Sequence, residues 1–118
     1  MFPNYVNASP TALATAVRAL PRGSDVRYVP GHGPMAREAD VDRYVAVLDE
    51  VEHAARSAYV AGVPLERAGA DFRLPPSLGE WVLFNAEFFP RAFAAWYRDL
   101  DRQRGIGRDA SAGSALPR

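Results

Sequence analysis

The sequence predicts an α/β chain that is predominantly helical, with one short strand at about residues 25–29. Three observations carry this. Apolar residues recur at helical spacing over 38–61 and again, with many aromatics, over 80–104. A single run, Asp25-Val26-Arg27-Tyr28-Val29, has strand character and stops at Pro30. Residues 1–104 form the expected folded unit, and 105–118 a flexible tail.

Ser9-Pro10-Thr11 opens the first helix, with serine as N-cap and proline in the first turn. Leu13, Ala16, Val17 and Leu20 share one face, and Pro21 with Gly23 end it. The short strand follows, and a lone strand needs a neighbour to satisfy its backbone. From Glu38 to Ala61 the apolar stripe is Val41, Tyr44, Val45, Leu48, Val51, Ala55, Ala58 and Tyr59, and Gly62 supplies the stop. Pro64 begins a short helix through Ala68, and Pro75-Pro76 stiffen the loop 71–79. Over Glu80–Arg104, Trp81, Phe84, Phe88, Phe89, Phe93, Trp96 and Leu100 make the expected buried side; Pro90 ends one helix there or kinks a continuous one. Gly105–Arg118 has no periodicity.

Composition bounds the function. The chain has 14 basic and 14 acidic residues, so its formal net charge is zero and no nucleic-acid or anionic-membrane partner is expected. All the basic residues are arginine, a pattern that reads as coding bias rather than chemistry. Without cysteine there are no disulfides, thiolate metal sites or cysteine nucleophiles. No apolar run reaches membrane-spanning length, and the expected compartment is the cytoplasm.

The stretch with the most chemical promise is Val29-Pro30-Gly31-His32-Gly33-Pro34. It holds one imidazole between two glycines at a strand end. Glycine permits unusual backbone angles and leaves room beside the ring, and the prolines restrict the loop. A neutral imidazole there can ligate zinc or shuttle a proton. The alternative is a glycine-proline turn with an incidental histidine.

That motif, between a preceding and a following helix, resembles the last metal-ligand loop of the metallo-β-lactamase-fold hydrolases. The helical run Tyr44–Ala61, followed by Gly62-Val63-Pro64-Leu65-Glu66-Arg67-Ala68, resembles segments after that loop in the same superfamily. The resemblance implies the C-terminal half of an αββα sandwich and metal-assisted hydrolysis by one or two zinc ions. It makes His32 a ligand of the second metal, supported by Pro30, Gly31, Gly33 and Pro34. The superfamily's His-x-His-x-Asp-His signature is missing, and His53 is the only other histidine. A catalytic zinc needs about three protein ligands. The chain is therefore expected to be inactive alone, with no catalytic residue assigned. Its expected partner is a missing N-terminal half or a second copy of itself, and Met1-Phe2-Pro3 is read as the continuation of a strand carrying a lost acid.

Other groups carry less. Asp49 and His53 lie one helical turn apart, and Asp42, Asp49, Glu50 and Glu52 cluster on one helix; both read as a solvated face. The aromatics from Trp81 to Trp96 read as core before they read as a pocket. The alternative to a hydrolase fragment is a non-enzymatic helical interaction module, docking through the aromatic face of its last helices or the open strand edge.

Overall fold

The computed structural model describes residues 5, 8–83 and 86–112, the last seven as helix backbone alone. Among them the chain is all-helical: α1 (Pro10–Arg18), α2 (Glu38–Val60), α3 (Leu65–Asp71), a single 3₁₀ turn (Pro76–Leu78) and α4 (Phe88–Ala112). The local rules that shape each helix are visible at its ends. The Ser9 hydroxyl accepts from the Ala12 N–H at 3.3 Å, which satisfies one orphan donor of α1. At the start of α2 the Arg37 N–H donates to Asp40 Oδ2 at 2.9 Å. At its end Gly62 takes φ +71°, its N–H bonds the Tyr59 carbonyl at 3.1 Å, and the Val63 N–H bonds the Ala58 carbonyl at 2.9 Å. That paired closure needs a residue at ease in the left-handed region, hence glycine.

The expected α/β class, with its half αββα sandwich, is corrected. Among the described residues there is no strand, only one isolated antiparallel bridge between Tyr28 and Ala36. The reason is local. The Val26 N–H bonds the Gly23 carbonyl at 3.1 Å, so a turn consumes the start of the 25–29 run. Pro30 has no N–H to extend the ladder at the other end. What remains is one exchanged pair, Tyr28 N–H to Ala36 O at 3.0 Å and Ala36 N–H to Tyr28 O at 2.8 Å. The partner that the short run needs, Ala36, lies eight residues downstream of Tyr28, and it brings no sheet with it.

The core lies where α2, α3 and α4 meet. Val47, Val51, Ala55, Phe93 and Trp96 are buried there with Tyr5, Leu48 and Ala68. Each large side chain so buried contributes about 1.5–3 kcal/mol. Val47, outside the expected α2 stripe, is fully buried. Phe72 of the segment after α3 meets Phe89 edge-on and Phe93 at a tilt, with ring centres 4.8 and 5.3 Å away.

Pro90 falls in the first turn of α4, where the Arg91 N–H already bonds the Glu87 carbonyl at 3.0 Å. A proline at that point forfeits only a donor that would have had no helical acceptor. The helix therefore starts at Phe88 rather than near residue 80, and residues 80–83 are irregular. It continues to Ala112; residues 113–118 of the expected tail, with Met1-Phe2-Pro3 and Phe84, lie outside the described residues.

α3 packs most extensively against α4. The two approach closely at Gly69, where a Cβ would stand 2.6 Å from Pro90 Cα. α1 packs Leu13 and Val17 against the core and is also held by a polar contact. Asp99 of α4 is 5% exposed and accepts from the Ser9 hydroxyl at 2.9 Å, the Thr11 hydroxyl at 3.1 Å and the Thr11 N–H at 3.3 Å. Arg102 balances its charge. No described helix is long and apolar enough to cross a membrane.

Candidate interaction surface

Residues 28–36 form a tight excursion, closed at its base by the Tyr28–Ala36 bridge and carrying His32 near its tip. The sequence explains the shape. Pro30 and Pro34 restrict both limbs, and Gly33 adopts φ +104°, a region other residues avoid. Pro30, Gly31, His32, Gly33 and Pro34 are all exposed. A Cβ on Gly31 or Gly33 would meet nothing within 4 Å. The glycines thus serve the turn.

The metal chemistry expected of His32 does not find its ligands. Among the described residues no group of three or more His, Asp or Glu side chains could hold a metal ion. His53 is exposed on α2, and Asp49 beside it pairs with Arg18 instead. Three more acids of that helix are also engaged by arginines: Asp42 by Arg22 at 2.6 Å, Glu52 by Arg56 at 2.8 Å and Asp40 by Arg43 at 2.8 Å. Asp40 is held below the ordinary aspartate value of 3.8, first by the Arg37 N–H and then by Arg43. These are surface ion pairs of a helix face and not a paired-carboxylate centre. Among the described residues the donors do not make a zinc site, and no reaction step is assigned to one.

What the excursion does build is an apolar groove. One wall is the limbs themselves, with Val29 83% and Met35 64% exposed. Trp81 and Val82, the latter 66% exposed, also line the groove, from the irregular segment before α4. Val17 and Leu20 line it from α1 and the turn after it, and Tyr44 from α2. The groove encloses about 890 Å³ and is open to solvent. Trp81 is fixed by its indole N–H, which donates to the Leu78 carbonyl at 2.8 Å, and by a tilted ring contact with Tyr44 at 6.0 Å. Burial raises the Tyr44 phenol above its ordinary value of 10.0.

Of the two docking surfaces expected from sequence, the aromatic face of the last helices puts Phe93 and Trp96 in the core, 1% and 2% exposed. Sequence reasoning missed the groove because its walls lie about 50 residues apart. A local signal was present: Val29 and Met35 flank the Pro-Gly-His-Gly-Pro turn symmetrically, in a segment with no helical face to hide them.

Comparisons with protein-family models, with curated proteins and with solved structures find no match for this chain. The resemblance to metallo-β-lactamase-fold hydrolases is accordingly corrected. It rested on a proline-glycine turn that any tight excursion can use and on the helical segments after it, and the helical structure around that turn is not that fold.

Proposed function

We propose that the chain is a helical protein-interaction module of the cytoplasm, working by binding rather than catalysis. The observation that carries the reading is the concentration of exposed apolar side chains, Val29, Met35 and Val82, around one groove. Isolated exposed hydrophobes are ordinary, but a contiguous patch rimmed by charge marks a binding surface. The lining charges are Arg27, Arg43, Asp40 and Glu80, two of each sign, which suits an apolar protein segment better than a nucleic acid.

The test is selection of displayed random peptides against the folded protein, followed by affinity measurement on V29D/M35D. Selected peptides should lose at least about tenfold in affinity, as expected when central apolar contacts are removed. Peptides that bind the variant equally well, or that compete with nothing at the groove, would refute the assignment.

A further inference from the structure

We infer that the groove's occupant is a second copy of this chain, joined by antiparallel pairing of residues 27–29 across a twofold axis. The inference rests on the interaction-module reading and supplies its partner. Tyr28 and Ala36 exchange both backbone hydrogen bonds. In an antiparallel pair the groups of the next residues point the other way. The N–H and C=O of Arg27 and Val29 therefore face outward, and among the described residues no hydrogen bond reaches them. The result is a three-residue open edge, closed by the Gly23–Val26 turn on one side and by Pro30 on the other.

So short an edge suits its own copy. With Tyr28 on the axis, Arg27 of each copy lies opposite Val29 of the other, and the two pairs can make four N–H···O bonds. Like charges do not fall directly opposite each other in that register. Charge complementarity points the same way. Asp40 and Arg43 are paired internally at 2.8 Å. Arg27 and Glu80 line the same groove, and neither has an ion pair among the described residues. A patch that carries both signs is self-complementary across a twofold axis, where Arg27 of each copy can meet Glu80 of the other. With 14 charges of each sign, two copies carry no net repulsion. The exposed apolar surface of Leu20, Val29, Met35 and Val82 amounts to roughly 400 Å² per copy, so the contact falls in the small, reversible class of interface.

The experiment is sedimentation equilibrium of the full chain at low salt over about 1 µM to about 1 mM, a span that captures a weak dimer. The expected result is a concentration-dependent monomer–dimer equilibrium. V29P removes an edge donor that the monomer does not use, and should weaken the dimer at least about tenfold. R27E should weaken it to a similar degree, and R27E/E80R should restore it to within about threefold of wild type. Thermal unfolding checks that each variant is folded; the charge swap keeps the test decisive should V29P fail that check. A monomer throughout the range, a dimer indifferent to V29P and R27E, or a swap without rescue overturns the inference. A strictly monomeric chain that still binds selected peptides through Val29 and Met35 would overturn the second copy alone and leave the interaction reading standing.

Discussion

Gly69→Ala sets two physical effects of opposite sign against each other. Gly69 lies inside α3, where alanine is favoured over glycine by about 1 kcal/mol on helix propensity. Its Cβ would stand 2.6 Å from Pro90 Cα, 3.1 Å from Pro90 N and 3.4 Å from the Phe89 carbonyl oxygen. These neighbours are all backbone, so no side-chain rotation relieves the contact. The first turn of α4 must retreat by most of an ångström. Phe89 and Phe93 would then part from Phe72, whose rings they meet at 4.8 and 5.3 Å. Overpacking of this kind costs about 1–3 kcal/mol, and each loosened aromatic pair forfeits about 0.5–1.5 kcal/mol. Steric loss wins, and the expected net effect is a destabilisation of about 2 kcal/mol. Urea unfolding should show a lower midpoint with an unchanged slope. A neutral or stabilised G69A would refute the close α3–α4 contact, because propensity alone would then be acting.

Three further outcomes follow from the same structure. D99A leaves the Ser9 and Thr11 donors facing an emptied buried site, and should cost about 2–3 kcal/mol; T11A and S9A should each cost less, by the same unfolding assay. V47A removes two fully buried methyls and should cost about 2 kcal/mol, whereas V60A, at a position 86% exposed, should stay within about 0.5 kcal/mol of wild type. In a carboxyl NMR titration Asp40 should show a midpoint below 3.8. Its contribution to stability is therefore present above the unfolded value and lost as pH falls through the folded one. R43A should raise that midpoint only part of the way back, since the Arg37 N–H is the larger cause.

The helices were legible where local chemistry decides them. Ser9-Pro10, the stripe from Val41 to Tyr59 and Gly62 carry enough information in a few residues to set α1 and α2. The 25–29 run was not, because strand character is realised only with a neighbour. The chain offers Tyr28 one bridge to Ala36 and turns away at Gly23 and Pro30. Pro90 was ambiguous from spacing: whether it kinks or begins a helix depends on which carbonyl closes the first turn, and that is Glu87. Asp99 was silent, since its partners Ser9 and Thr11 lie about 90 residues away in sequence. At the site, the glycines and prolines around His32 were read as room for a ligand. The structure uses them to make a sharp turn, and its apolar limbs are what the turn presents.

Methyl NMR with a soluble nitroxide, at a dilution where the chain is monomeric, tests the open groove most directly. Resonances of Val29, Met35 and Val82 should broaden strongly, while those of Val47 and Val51, both fully buried, stay sharp. Protection of the first three to the level of the last two would mean that the groove is closed in the free protein, and the binding surface proposed here would not exist.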